Sequence, residues 1–248
     1  MFKNHIVICN WNQRAEEIIQ QLFDSHVNNH LDIVMVSASP IDKIALPDEY
    51  KEHLHLVQND PTQHNTLSNV NAHKARSIII LADNKSESPD DKSVLIALAV
   101  KHLEKTLNKD LYVVAELINI NRKRHLKDAG ADEIICSMSY SSGIIAQSAL
   151  FKNMSEIYQR LLSYSKDTNE IYFVSPKQYP EKYLGMNFAD IAYKINEKRK
   201  ELNESPVLLL GVKHKGDILL NPRQTEFSEL CEEDSLIIMA FENIKKIN

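Results

Sequence analysis

Glycine is scarce in this chain, with five residues in 248. The opening turn, Asn10-Trp11-Asn12-Gln13, holds none of them. That removes the glycine fingerprint by which a strand-turn-helix unit admits a dinucleotide pyrophosphate. Cysteine is sparse too. Cys9, Cys136 and Cys231 stand far apart with no CxxC spacing, which argues against a disulfide scaffold or a cysteine zinc site and for a reducing compartment. No stretch approaches the roughly 20 apolar residues that span a bilayer, and the N-terminus lacks the basic-then-apolar pattern of a secretory signal. A soluble chain is expected, either free-standing or the cytosolic portion of a membrane protein. Positive charge is also short: the net charge is −5 and the pI about 6.1, against the basic face that nucleic-acid binding favours. Catalytic signatures are missing, with no GxSxG, GxxxxGK[ST] or HExxH. The serine-rich turn Ser139-Tyr140-Ser141-Ser142-Gly143 reads as a helix N-cap.

What is present is an alternation. Continuous apolar runs at His5–Cys9, Asp32–Val36, Leu54–Val57, Ser77–Leu81, Tyr112–Ala115 and Glu133–Ile135 read as strands buried on both faces. Between them lie helical patterns at Gln13–Asp24, Thr62–Val70, Asp90–Leu107 and Ile120–Ala129. This order predicts an α/β, Rossmann-like doubly wound parallel sheet over residues 1–138. One long helix follows at Tyr140–Leu162, within a segment, 139–167, whose apolar residues Ile144, Ile145, Leu150, Met154, Ile157 and Leu161 exceed what one sheet edge needs. It either caps its own sheet or crosses to a second subunit as a dimerising element. Residues 168–248 read as a smaller C-terminal α+β domain, with strands at Glu170–Val174, Val207–Val212, Asp217–Leu220 and Ser235–Ala240 and a helix at Phe188–Leu202.

Four stretches in this order resemble the regulator-of-potassium-conductance family, the RCK or KTN domains. They are His5-Ile6-Val7-Ile8-Cys9-Asn10-Trp11-Asn12; Asn59-Asp60-Pro61-Thr62 with Ala75-Arg76-Ser77-Ile78-Ile79-Ile80-Leu81; Val114-Ala115-Glu116 with Ala129-Gly130-Ala131-Asp132-Glu133-Ile134-Ile135; and Leu210-Gly211-Val212, Gly216-Asp217, Asn221-Pro222 and Glu233-Asp234-Ser235-Leu236-Ile237-Ile238. The resemblance implies a TrkA-N plus TrkA-C type regulatory module at the cytoplasmic face of the membrane. Such a module forms a homodimer or an octameric gating ring and acts on a potassium pore in the same or a separate chain.

Two ligand classes are candidates, an adenine nucleotide and a divalent cation such as Ca2+. A nucleotide would lie against Asn10, Trp11, Asn12 and Gln13, where the helix N-terminus favours an anion. The alternative is an empty structural turn. Ser37 follows the second strand, where a dinucleotide site wants an acid for the ribose. Asp60 stands where nucleotide-binding relatives contact adenine, or it caps the helix that follows. For a cation, the resemblance to a calcium-gated relative points to Asp83, after the fourth strand, and Glu116, at the end of the fifth. The second acid of that relative is Ile118 here. The loop from Asp83 to Asp91 offers more oxygens or is simply solvated, with Asp90 or Asp91 at a helix start. His53 and His55 would share one strand face without a third ligand. Arg122, Lys123, Arg124 and Lys127 form a basic run, solvated or steering an acidic partner.

Two functions compete on this reading. The first is a ligand-sensing, oligomeric domain that gates potassium flux by population shift. The second is an NAD(P)-dependent oxidoreductase or a soluble nucleotide-sensing regulator. The missing glycines, the missing ribose acid and the missing proton donor oppose it.

Overall fold

The computed structural model describes residues 2–25, 31–41, 47–84, 86–164, 168–242, 244 and 246–247. The chain folds as two compact units, one running to Glu156 and the other from Ile157.

In the first unit six strands alternate with helices: β1 Ile6–Cys9, α1 Ala15–Asp24, β2 Ile33–Ser37, α2 Asp48–Lys51, β3 Leu54–Gln58, α3 His64–Asn69, β4 Ser77–Ile80, α4 Pro89–Leu107, β5 Val113–Leu117, α5 Lys123–Asp128 and β6 Glu133–Cys136. All pairings are parallel, in the order β3-β2-β1-β4-β5-β6. This is the expected doubly wound sheet, with its order reversing between β1 and β4. Strand alternation divides the core. Val7, Cys9, Val34, Val36, Ile78 and Ile80 pack with Leu67, Ile96, Val100, Leu103 and Leu126 from α3, α4 and α5. Ile6, Ile8, Ile33 and Met35 turn the other way, onto Ala15 and Ile19 of α1. Burial on both faces holds for β1 and β2. The sheet's two outer strands, β3 and β6, depart from it and are mostly half-buried or exposed. Burial also makes Cys9 an inert core thiol, its pKa pushed up to about 12.

The sequence places one helix over Tyr140–Leu162; the structure has two, α6 Ser137–Leu150 and α7 Met154–Leu162. Phe151 is extended and Asn153 takes φ 65°, which a continuous helix cannot accommodate. Likewise Ile120–Ala129 is a 3-10 turn at Ile120–Arg122 followed by α5. No residue of α6 or α7 is buried. The short helix α2 was not expected at all.

Asparagine explains how so little glycine suffices. Among the described residues eight non-glycine positions have positive φ, and seven are asparagine: Asn4, Asn10, Asn71, Asn108, Asn153, Asn203 and Asn221. Asparagine tolerates the left-handed region because its short amide can bond locally. Glycine takes a positive φ at Gly130, Gly185 and Gly216. Gly130 ends α5 at φ 99°, and a Cβ there would lie 2.8 Å from Lys101 Cδ.

The second unit contains β7 Glu170–Val174, α8 Phe188–Glu201, β8 Leu208–His214, β9 Asp217–Leu220 and β10 Ser235–Ala240. Its antiparallel sheet runs β7-β10-β8-β9. Val174, Val212, Leu236 and Ile238 point from one face onto Ile191 and Ile195 of α8, with Tyr183 and Phe227 completing the core.

His5, at the entry to β1, is fully buried and its Nε2 donates to the Val70 carbonyl at 3.0 Å. Burial outweighs that bond and holds its pKa below the ordinary 6.5. The unfolded chain therefore takes up a proton on this ring before the folded chain does. Stability is complete above pH 6.5 and declines as pH falls below it, by up to about 1.4 kcal/mol per unit from this group. Melting curves from pH 7.5 to 5.5 should show the decline, and His5→Gln should flatten it. An equal slope in the variant would remove His5 as the cause.

Candidate functional site at the carboxyl edge of the parallel sheet

The strand order places a crevice at the carboxyl ends of β1 and β4, where open α/β sheets bind ligands. In this chain protein side chains fill it. Asn10 leaves β1 at φ 69°, the conformation a first fingerprint glycine would take. Its backbone N–H donates to Val36 O and its Nδ2 to Leu81 O, both at 2.9 Å, tying the turn to β2 and to the end of β4.

Asn12 occupies the space a second glycine would leave open. Its Nδ2 donates to Ala82 O at 3.0 Å and to Glu116 Oε2 at 2.8 Å, while its Oδ1 accepts the Arg14 N–H at 3.0 Å. The same Glu116 oxygen accepts the Ala82 N–H at 3.0 Å. Its other oxygen lies 2.7 Å from Arg14 Nη2. Arg14 Nη1 reaches Ser137 Oγ at the start of α6, 3.0 Å away. Asn12 and Glu116 are buried, so this network replaces water at the strand ends. Asp90, buried in the first turn of α4, accepts Ile118 N–H at 2.9 Å and Asn119 N–H at 2.8 Å and so satisfies the backbone leaving β5.

The other candidates lie around this network. Trp11 packs, partly buried, on the core beneath α1. Gln13 is exposed. Ser37 is buried, and its carbonyl accepts the Asn59 N–H. Asp60 Oδ1 accepts the Thr62 N–H at 2.9 Å in the turn ahead of α3; the helix itself begins at His64 with Gln63 as its N-cap, so Asp60 is not the cap expected of it. Asp83 Oδ2 is paired with Lys92 Nζ at 2.7 Å. The two carboxylates singled out for a cation thus each hold an internal cation, Arg14 for Glu116 and Lys92 for Asp83. An anion fares differently: Glu16 and Glu17 occupy the first turn of α1 and oppose the pull of its N-terminus.

His53 and His55 both approach Asp32, at 3.1 and 3.5 Å. Burial would raise the Asp32 carboxyl, but bonds from the two histidines outweigh it and hold the pKa below the ordinary value. In the basic run, Arg122 pairs with Asp91 and Arg124 with Asp128. Sequence reasoning missed Arg14 and the service of Asp90 to β5. An arginine two residues past the turn asparagine was the available signal for the first.

Residues 6–137, just over half of the chain, match the TrkA-N domain. The chain belongs to the TrkA-N domain family. Over 170 residues this TrkA-N chain is 26% identical to the calcium-gated potassium channel TvoK of Thermoplasma volcanium, covering 66% of this chain and 45% of that one. Over 177 residues it is 27% identical to YugO of Bacillus subtilis, covering 68% and 46%. The TrkA-N chain therefore spans under half the length of these relatives. The human SLO3 gating ring superposes with a TM-score of 0.67 at 16% identity, covering 96% of this chain and 44% of that one. That agreement shows a shared fold extending through the C-terminal unit as well as the TrkA-N unit. Among the described residues no helix is long and apolar enough to cross a membrane.

Proposed function

We propose that this TrkA-N chain is a regulatory, ligand-sensing domain that gates potassium flux through a pore in the same or a separate chain, from the cytoplasmic face of the membrane. The single observation that carries the reading is the pairing of a TrkA-N sheet with a four-stranded C-terminal unit in the fold of a gating ring. The exposed apolar surface of α6 and α7 supports assembly, as a dimer or as a ring of eight. Regulation then means that a ligand binds one ring geometry better than another and biases the pore by that difference.

Of the two ligand classes, the site favours the cation, with Ca2+ first. The Asn12 side chain and the acidic first turn of α1 both oppose a pyrophosphate. Asp83 and Glu116 are carboxylates already holding positive charge. A divalent ion at Glu116 takes the place of the Arg14 guanidinium and needs six to eight oxygens. The internal ion pair is therefore a competitor, and the apparent affinity falls by the fraction of time the pair stays closed.

Thermal melts with calcium, magnesium, AMP, ADP, ATP and NAD test this. A ligand at 100 times its dissociation constant adds about 2.7 kcal/mol. Calcium is expected to raise the melting temperature, Arg14→Gln to enlarge the response, and Glu116→Gln to abolish it. A shift with a nucleotide alone would transfer the site to the Asn10–Gln13 turn. No shift with any of them would remove the sensing role from this chain.

A further inference from the structure

We propose a second metal site, for a zinc-type divalent ion, in the C-terminal unit. It is separate from the carboxyl-edge network and does not depend on the regulatory reading. Its residues are His214, Cys231 and Asp234, and one ligand atom of each lies within 4.8 Å of the ligand atoms of the other two. Among the described residues it is the one group of three or more metal-ligating side chains brought so close together. Cysteine spacing could not show it, because the fold supplies the ligands from the end of β8 and the turn before β10.

The antiparallel register builds the site. Ser235 pairs with Lys213 across β10 and β8, so the next position of that ladder sets Asp234 opposite His214. His214 Nδ1 lies 2.9 and 3.0 Å from the two Asp234 oxygens. Residues 231–234 close a tight turn: the Asp234 N–H donates to Cys231 O at 3.1 Å, and the Cys231 N–H donates to Asp234 Oδ2 at 2.8 Å. That turn carries the thiol over the His-Asp pair. Cys231 is exposed, and its Sγ donates to the Glu229 carbonyl at 3.9 Å.

Each ligand is held from behind. Asp234 is 2% exposed, and its backbone carbonyl accepts the Tyr179 hydroxyl at 2.7 Å. The His214 ring meets Phe227 edge-on with centroids 5.4 Å apart. Such outer contacts fix ligand orientation in metal sites.

The chemistry selects the ion. Imidazole, thiolate and carboxylate together suit zinc, whereas calcium and magnesium take oxygen alone. Three protein ligands with an exposed thiol leave a fourth position open to water or a further ligand. The local field is favourable as well: residues 226–234 carry five acidic side chains and no basic one, against Lys213 and Lys215 beside His214. On binding, the His214–Asp234 hydrogen bond breaks, the imidazole proton moves to the other ring nitrogen, coordination bonds form to the three side chains, and the Cys231 thiol proton passes to solvent. No electron transfer is involved.

The test is a zinc titration of the whole chain by calorimetry, with cobalt(II) as the optical probe. One zinc per chain and a cobalt-thiolate charge-transfer band are expected. Cys231→Ser should abolish the band and weaken zinc binding by at least about 100-fold, beyond what residues that merely orient ligands cost. His214→Gln should weaken binding similarly. Because Cys231 is exposed, metal-free Cys231→Ser should melt as the native chain does. Failure of stoichiometric binding, or equal affinity in Cys231→Ser, would overturn the site. So would loss of binding in His53→Ala with His55→Ala, which would place the ion at the other histidine pair.

Discussion

Replacing Glu116 with alanine is expected to cost roughly 2–4 kcal/mol of stability, the range for breaking a buried, hydrogen-bonded ion pair whose partner keeps some access to water. The carboxylate serves three partners at once: the Asn12 amide, the Ala82 N–H and the Arg14 guanidinium. Truncation leaves the Ala82 N–H without its acceptor in a buried place and the Asn12 amide with only the Ala82 carbonyl. Arg14 suffers less, because its side chain is 40% exposed and turns to water. Glu116→Gln keeps one acceptor oxygen for Asn12 and Ala82 and removes the charge, so about half the loss is expected. Urea unfolding of the three proteins measures the order. Alanine and glutamine variants within about 0.5 kcal/mol of the native chain would show that the network contributes nothing.

The second large effect concerns assembly. Ile145→Asp combined with Leu150→Asp is expected to convert the proposed dimer to protomers. Both side chains stand on α6, at 69% and 75% exposure, among Met138, Tyr140 and Phe151, which are exposed as well. Burying one such residue against a partner contributes about 1.5–3 kcal/mol. A two-fold dimer carries each substitution twice, so four buried side chains are lost and the dissociation constant rises by at least roughly 10,000-fold, at about 1.4 kcal/mol per decade. The first unit's own fold should be unaffected, since no residue of α6 is buried within the chain. Sedimentation equilibrium reads the mass and thermal melts read the fold. A double variant that self-associates as the native chain does would move the assembly surface elsewhere.

The parallel sheet was legible because burial on both faces demands unbroken apolar runs, and β1 and β2 supply them. Its outer strands were legible by their place in the alternation more than by burial. The break between α6 and α7 was not, because Phe151 and Asn153 interrupt a pattern whose apolar spacing continues on both sides. At the carboxyl edge the resemblance to a calcium-gated relative singled out Asp83 and Glu116. It did not single out their partners. Arg14 is 102 positions from Glu116, a separation that only the strand order closes. For the same reason His214 and Cys231 read as isolated residues until β8 and the turn before β10 bring them together.

Ligand-driven reshaping of an assembled regulatory domain is read most directly by small-angle X-ray scattering of the purified chain with and without calcium. The expected mass is an even multiple of the 28.4 kDa protomer. The radius of gyration should change on adding calcium and stay constant in Glu116→Gln. A single-protomer mass with one unchanging profile in calcium and in adenine nucleotides would contradict this reshaping.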